Sequence, residues 1–385
     1  MFPSVVNLGA SLRHGMKTAQ RERPWLPGGK MKRTIALGLI GLLIVAVALI
    51  FAFQRTIGDR VFATVAAQRI VNNDLSFNDG LHLVLCGTGS PLPNPDRAGP
   101  CNLVIAGDQA YVIDIGEGGA RNLNLMGFFI PSTTALLLTH YHSDHVDGIG
   151  PLSLLYWTQG TKTSPMPVHG PPGLETLVEG FNRAYELDRT YRVDHHTSQI
   201  VPETGGGLTA FPFEVGEEPV TVIERDGLRI RAFLVDHDPV RPSVGYRFDY
   251  KGRSIVISGD AAKSDTIIEA ARGADILVHD ALQPRLVGHL TSALDQAGND
   301  AVATITRDIL DYHASPEEAA ESAQAAGVDH LVLSHLVPPI PSQFFYPAFL
   351  GDAPDKFDGE ITVGEDGMAF SLPPQSDAIE RDKLL

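Results

Sequence analysis

The sequence predicts an α/β protein in which two β-sheets pack face to face between outer layers of helices, after one N-terminal apolar membrane helix. Short β-rich runs such as LHLVLCG (81–87) and GLRIRAFLVDH (227–237) are separated by Gly, Pro, Asn and Asp turns. Helical stretches occur around 173–187 and at SPEEAAESAQAAG (315–327), whose Ser-Pro-Glu-Glu start is typical of a capped helix. Because the strands form two groups along the chain, the pattern fits a four-layer αββα sandwich.

The remaining strands follow the same pattern of short apolar runs that end at polar or Gly-containing turns. In chain order the predicted strands are 81–87, 101–107, 110–116, 135–140, 227–237, 244–250, 253–260, 274–280 and 329–335. No internal repeat at the period of a solenoid interrupts this alternation.

An uncharged, proline-free run from Thr34 to Phe53 precedes the β-rich part. Twenty residues of helix span about 30 Å, the thickness of the hydrocarbon core of a bilayer. Lys30, Lys32 and Arg33 come just before it, so the positive-inside rule predicts a cytoplasmic N-terminus and an extracytoplasmic, periplasmic-type location for the rest. A cleaved signal peptide is the alternative, but the run is long for one and no small-x-small site follows it directly.

These features predict five segments. Residues 1–33 form a short basic cytoplasmic tail, with Met31 as an alternative natural start. Residues 34–53 form the anchor and 54–79 a helical stalk, while 80–373 form the folded domain. Residues 374–385 form a polar tail.

Charge is distributed unevenly along the chain. The formal net charge is −16, but residues 1–60 carry nine Lys/Arg against Glu22 and Asp59, a net of +7. The remaining 21 basic and 44 acidic residues give −23. Because binding of a phosphate backbone depends on Lys and Arg, this acidity predicts that nucleic acid is not the partner.

Cys86 and Cys101 are the two cysteines of the chain. This number excludes a disulfide-stapled mini-protein and a Cys-rich zinc module. Two interpretations remain open, namely two small core residues on neighbouring strands or one disulfide formed in an oxidising compartment.

A dense group of metal-ligand side chains follows the apolar strand ALLLT. His140, His142, Asp144 and His145 fall within six residues, and imidazole with carboxylate suits zinc and its first-row neighbours. In an extended segment His140 and His142 point the same way, so both can reach one metal ion. The chain must then turn for Asp144 and His145 to face a second ion.

These residues and several motifs in the same order resemble the metallo-β-lactamase superfamily, and within it the branch of ribonuclease Z and the zinc arylsulfatase and phosphodiesterase relatives. The resemblance extends over about residues 81–372. The matching motifs are LCGTGSP (85–91), VIDIGEG (112–118), HGPPG (169–173), SGDA (258–261), LVHDA (277–281), YHAS (312–315) and LVLSH (331–335).

The resemblance implies a metallo-β-lactamase fold and a dinuclear site with two Zn²⁺, or Mn²⁺ or Fe in one position. One ion would be held by His140, His142 and His237, and the other by Asp144, His145 and His335. Asp260 would bridge the two ions, and water activated between them would attack the substrate. Asp114 would orient a ligand imidazole from behind.

The resemblance also implies catalytic assistance from a group beyond the metal ligands. His279 would be held by Asp280, which stands where the family has Glu, and either His279 or His313 would contact developing charge or protonate the leaving group. Asp144 is counted with these catalytic residues. His169, His195, His196 and His289 are weaker candidates, for which surface loops are the simpler interpretation.

One departure from ribonuclease Z shapes the functional expectation. The long basic arm that grips tRNA is missing, since VGYRFDYKGRSIVISGD runs directly through a turn at Lys251-Gly252. In its place the long stretch between His279 and His313 predicts helical cover over the site. We therefore expect a membrane-anchored di-zinc hydrolase of a small-molecule phosphodiester or sulfate ester, with homodimerisation an open alternative.

The sequence leaves three alternatives open. They are a lactone or β-lactam hydrolase, a ribonuclease Z-like tRNA 3′ endonuclease, and a non-catalytic metal-binding protein. The last conflicts with the seven expected ligands, because a structural zinc site closes at four.

Overall fold

A computed structural model describes residues 28–71 and 75–385. The chain divides into two compact units, Met1–Ile70 and Val71–Leu385. In the first, the helices are α1 (Gly28–Ala52) and α2 (Gln54–Val71). Residues 32–52 have the length and apolar composition needed to cross a membrane, with a mean hydropathy of 3.0 and no buried side chain. Residues 1–27 of the predicted tail lie outside the described residues.

The second unit contains two β-sheets, as the sequence predicts. Its strands are β1 (Leu81–Gly87), β2 (Cys101–Ala106), β3 (Gln109–Ile113), β4 (Thr133–Leu137), β5 (Met166–Gly170), β6 (Leu208–Pro212), β7 (Val220–Arg225), β8 (Leu228–Leu234), β9 (Val244–Tyr250), β10 (Arg253–Ile257), β11 (Ile276–Leu282), β12 (His330–Val337), β13 (Glu360–Val363), β14 (Met368–Leu372) and β15 (Glu380–Lys383). The eight-stranded sheet has the order β15-β14-β1-β2-β3-β4-β5-β6, and the seven-stranded sheet has the order β13-β12-β11-β10-β9-β8-β7.

Helices connect the strands on the outside. They are α3 (Gly119–Leu125), α4 (Ser143–Val146), α5 (Ile149–Gly160), α6 (Leu174–Ala184), α7 (Glu186–His196), α8 (Asp265–Ala271), α9 (Pro284–Gln296), α10 (Asp300–Asp308), α11 (Pro316–Ala326) and α12 (Tyr346–Leu350). Short 3₁₀ helices occupy Ile130–Ser132, Glu203–Gly205, Gln343–Phe345 and Ala353–Asp355. The predicted cap of α11 is confirmed, since Ser315 and Glu318 form a reciprocal capping box.

Strand β1 shows how the layers are built. Leu81, Leu83 and Leu85 pack into the core between the two sheets, while Val84 and Cys86 pack into the core on the helical side. Burial on both faces explains why this strand is a continuous apolar run without polar alternation. A third core lies between the second sheet and the helices α8 and α11. The arrangement confirms the four-layer αββα sandwich.

Parallel strands determine where the site lies. Strands β3 to β6 run parallel in the first sheet, and β10 to β13 run parallel in the second. Ligands in such α/β sheets bind beyond the carboxyl ends of the strands. Strand β4 leads into His140, β10 leads into Asp260, and β12 carries His335 near its end.

Two segments bear on the sequence predictions. The turn at Lys251-Gly252 is a two-residue hairpin with positive φ at both positions, so the direct passage from β9 to β10 is confirmed. Residues 374–385 differ from the predicted polar tail, because β15 pairs with β14 and extends the first sheet. Its residues are all exposed, which is why no apolar pattern marks this edge strand.

Candidate metal centre

Two clusters of ligand side chains meet at one edge of the sandwich. Their nitrogen and oxygen atoms lie within 4.8 Å of one another inside each cluster. The first cluster contains His140, His142, His237 and Asp260, and the second contains Asp144, His145 and His335. All seven predicted ligands are therefore brought together, from segments up to 195 residues apart in the chain.

Asp260 occupies the centre of this arrangement. Its Oδ2 lies 3.2 Å from Nε2 of His145, 3.2 Å from Nε2 of His335 and 4.0 Å from Nε2 of His140. Its Oδ1 is buried without a hydrogen-bond partner among the described residues. A buried carboxylate oxygen that lacks a partner fits a cation ligand.

A β-bulge directs His335 into the site. Strands β11 and β12 pair Asp280 with Ser334 and Ala281 with Leu336, so His335 is an extra residue on β12. It has a φ of 47°, in the left-handed region that non-glycine residues seldom adopt. Bulges re-aim side chains in this way and recur beside active sites.

Asp114 organises the loop that carries the local ligands. Its carboxylate accepts from the backbone N–H of Thr139 at 2.8 Å, from Thr139 Oγ1 at 2.7 Å and from Nδ1 of His145 at 2.8 Å. With Nδ1 of His145 held by this carboxylate, Nε2 faces Asp260. A carboxylate behind a ligand imidazole fixes its tautomer and orientation.

The protonation of the histidines divides them into two groups. Burial lowers the pKa of His140, His142 and His237, so these imidazoles are neutral and free to bind a metal. Burial also opposes protonation of His145 and His335, but nearby carboxylates, led by Asp260, raise the pKa of both. The second cluster thus attracts positive charge at the position that a divalent cation would take.

His313 and His279 contact opposite sides of Asp280. Nδ1 of His313 lies 2.8 Å from Oδ2 of Asp280, and Nδ1 of His279 lies 2.9 Å from Oδ1. Burial raises the pKa of the Asp280 carboxyl, but hydrogen bonds from the two histidines outweigh it and lower that pKa. The carboxylate is therefore charged and holds both imidazoles.

Only His313 of this pair reaches the metal centre. It groups with Asp260 and His335 within ligand distance, and its ring lies 5.3 Å from those of His237 and His335. His279 has no exposed surface and joins none of the metal clusters in residues 28–71 and 75–385. The structure thus places His313, and not His279, among the ligand side chains.

The weaker histidine candidates lie elsewhere. His195, His196 and His289 are exposed, and His169 stacks on Phe211 with ring centroids 5.1 Å apart. None joins a metal cluster among the described residues.

Tyr312 is a site residue that the sequence analysis did not single out. Its position next to His313 in the chain is the signal that could have identified it. Its backbone carbonyl accepts from Nδ1 of His237 at 3.0 Å, which leaves Nε2 of His237 for the site.

A disulfide joins β1 to the neighbouring strand β2. Cys86 and Cys101 are bonded to each other at the end of β1 and the start of β2, and both are fully buried. The sequence left two interpretations open, namely two core cysteines on neighbouring strands or a disulfide. In the structure the two cysteines lie on neighbouring strands and form a disulfide.

Similarity to known proteins agrees with this geometry. The family model for the beta-lactamase superfamily domain matches residues 129–336. A ribonuclease Z from Mycobacterium bovis is 37% identical over 299 residues, which are 77% of this chain and 99% of that protein. A ribonuclease Z from Mycobacterium tuberculosis is 36% identical with the same coverage.

Solved structures share the fold. The metallo-beta-lactamase fold protein YhfI from Bacillus subtilis aligns with a TM-score of 0.55 and 20% identity, over 76% of this chain and 100% of that chain. The short form of human tRNase Z aligns with a TM-score of 0.53 and 23% identity, over 76% and 99%.

These relatives correct the functional expectation. The predictions of a small-molecule phosphodiester or sulfate ester as substrate, and of nucleic acid as an unsuitable partner, are wrong, because full-length relatives carry the name ribonuclease Z. Net charge summed over a whole domain does not report the local field at one edge of it. The chain belongs to the metallo-β-lactamase superfamily and, within it, to the ribonuclease Z-like branch.

Proposed function

We propose that this protein is a metal-dependent hydrolase of RNA phosphodiester bonds, of the ribonuclease Z or tRNA 3′ endonuclease type. The observation that carries the proposal is the pairing of His313 with Asp280 beside the seven-residue ligand cluster. A phosphodiester has a poor leaving group, so an imidazole positioned to donate a proton is useful there. The ribonuclease Z relatives support the choice of RNA as substrate.

The donor set fits two divalent cations, with zinc as the first choice. Imidazole nitrogens and carboxylate oxygens are ligands that zinc binds readily. His140, His142 and His237 would hold one ion, Asp144, His145 and His335 the other, and Asp260 both. When bound, two such ions lower the pKa of water and neutralise charge on the phosphate.

The protein side chains orient the imidazole rings of the site and supply a proton. Asp114 holds Nδ1 of His145, and the carbonyl of Tyr312 holds Nδ1 of His237, so both rings present Nε2 to the site. Asp280 holds Nδ1 of His313 in the same manner. In its imidazolium form, His313 would give the proton on Nε2 to the departing oxygen, which leaves a neutral ring with Nδ1–H still held by Asp280. His279 supports Asp280 from the buried side as a positioning residue.

We also propose that α1 crosses a membrane and that the hydrolase domain lies outside the cytoplasm. The basic residues Lys32 and Arg33 are the first two residues of the candidate span in α1, which favours a cytoplasmic N-terminus. The disulfide supports this location, because disulfides persist in oxidising compartments and are rare in the cytosol. An alkaline phosphatase reporter fused after residue 75 should be active, and a well-expressed but inactive fusion would contradict this topology.

The substrate is tested with the full chain in detergent micelles. We expect cleavage of a precursor tRNA with a 3′ extension, and we expect a chelator to abolish it. Bis-p-nitrophenyl phosphate and p-nitrophenyl sulfate serve as the comparison esters. Rapid turnover of either ester with RNA left intact would contradict the proposal.

A further inference from the structure

The side chain of Tyr312 stands at the metal centre without an assigned role. Its ring centroid lies 5.0 Å from that of His237, at an interplanar angle of 83°, and 4.9 Å from that of His313, at 48°. It therefore contacts one proposed metal ligand and the proposed proton donor.

The protein leaves part of the Tyr312 side chain exposed. It is half-buried, and its hydroxyl makes no hydrogen bond in the part of the chain that the structure describes. Neither imidazole lies parallel to it, so neither is stacked face to face on it. A core tyrosine normally buries its ring and pairs its hydroxyl, and Tyr246 does both, donating to the carbonyl of Leu138 at 2.6 Å.

The neighbouring side chains do not offer a phosphate site. Asp308 and Asp311 are exposed close to Tyr312 in the chain. Arg307, the nearest cation in the sequence, is bound by both carboxylate oxygens of Asp295. The chain next to Tyr312 therefore supplies no free cation for a flanking phosphate, whereas the neutral aromatic ring can contact a base.

We propose that Tyr312 is a substrate-positioning residue, which stacks an unpaired base of the RNA next to the bond that is cleaved. This inference rests on the proposed function and adds how the RNA is held. Sequence-specific and sequence-tolerant recognition of single-stranded RNA both use bases stacked on aromatic rings. Because every base has a π-face, stacking at Tyr312 would tolerate any base and would favour an unpaired one.

Binding and cleavage by variants of Tyr312 test the proposal. The probe is a fluorescein-labelled RNA hairpin with a single-stranded 3′ extension, and Kd is measured by anisotropy with the full chain in micelles. Tyr312→Ala should raise Kd and KM by roughly tenfold, with a smaller change in kcat, since base stacking contributes on this scale. Tyr312→Phe and Tyr312→Trp should restore most of the binding, because both keep an aromatic face.

Two controls separate stacking from a structural effect. Tyr191→Ala removes an exposed tyrosine ring from α7 and should leave Kd and KM at the wild-type values. Bound metal per chain should not change in Tyr312→Ala, because the backbone carbonyl that holds His237 is retained.

Three results would overturn the stacking inference, and a fourth would overturn only the proposed function. Wild-type Kd for Tyr312→Ala, or a loss for Tyr312→Phe as large as for Tyr312→Ala, would overturn stacking. A fall in bound metal in Tyr312→Ala would overturn it as well. If the wild type bound the hairpin through Tyr312 but did not cleave RNA, the proposed function would fail while the stacking inference stood.

Discussion

His313 and His279 show which properties of a single residue can be predicted from the sequence and which cannot. Both lie in motifs that resemble family motifs, and both contact the same carboxylate of Asp280. They differ in position and slightly in exposure, since His279 is fully buried outside the ligand clusters, whereas His313 groups with Asp260 and His335 and keeps 7% of its side chain exposed. Exposure depends on how α9 and α10 and the chain after them fold back, which no local pattern encodes.

Substitution of His313 tests its role as proton donor. His313→Ala should lower kcat for RNA by roughly 100- to 10,000-fold, the range for loss of a general acid. The loss should be smaller on bis-p-nitrophenyl phosphate, because nitrophenolate leaves without protonation. Equal losses on both substrates in steady-state assays would contradict this role.

The seven proposed ligands fall into two groups, according to what made each of them predictable from the sequence. His140, His142, Asp144 and His145 are predictable because they cluster within six residues after an apolar strand. His237, Asp260 and His335 were predictable only through the family resemblance, because their approach depends on the strand order. The β-bulge that aims His335 has no sequence signal, since a bulge is a mismatch between two strands that neither strand encodes alone.

At the scale of elements, the segment between β1 and β2 packs against the backbone of Gly116 and Asp144 through Gly99. Its two ends are joined by the disulfide, and Asp366 accepts from the backbone N–H groups of Thr88 at 2.9 Å and Ala98 at 2.6 Å. Gly116 lies against this region, where a Cβ would come within 2.3 Å of the carbonyl oxygen of Asp144. Such close backbone contacts explain the glycines of the motif but become visible only in three dimensions.

Removal of the disulfide tests how far it stabilises this segment. The double variant Cys86→Ser, Cys101→Ser should lose about 3 kcal/mol of unfolding free energy, the loop-closure value for a loop of about 15 residues. Urea denaturation followed by the fluorescence of buried Trp157 measures the loss. A phosphine reductant should weaken the wild type and leave the double variant unchanged. Two alkylatable thiols in the unreduced, unfolded wild type would contradict the bond.

At the scale of the whole molecule, the sandwich was predictable and the substrate was not. Strands buried on both faces give strong apolar runs, so the two sheets follow from the sequence, while the exposed strand β15 does not. The net charge of −23 beyond residue 60 suggested the wrong substrate, because it averages over a surface of which the site is a small part.

His330, at the start of β12, contributes to the pH dependence of global stability. Burial lowers the pKa of His330 to about 4, below the value of about 6.5 expected in the unfolded chain. The unfolded state therefore binds more protons as pH falls below 6.5, and stability is lost towards pH 4. Between pH 7.5 and pH 5 this group should cost about 2 kcal/mol.

A matched pair of variants isolates that contribution. His330→Gln can keep the hydrogen bond to Oγ1 of Thr362 and should lose less stability on acidification than the wild type. His289→Gln, at an exposed position, should follow the wild type in urea titrations at both pH values. Identical pH dependence in all three proteins would contradict the assignment.

The most direct test of the account titrates metal into the stripped protein while RNA cleavage is measured. After removal of metal with a chelator, cleavage of precursor tRNA should return on addition of Zn²⁺ and reach a plateau near two equivalents per chain, as two ligand clusters require. Asp260→Ala should bind less metal and remain inactive throughout, because that carboxylate belongs to the first cluster and lies 3.2 Å from His145 and His335 of the second. A protein with two bound ions that leaves the RNA intact would contradict the central claim.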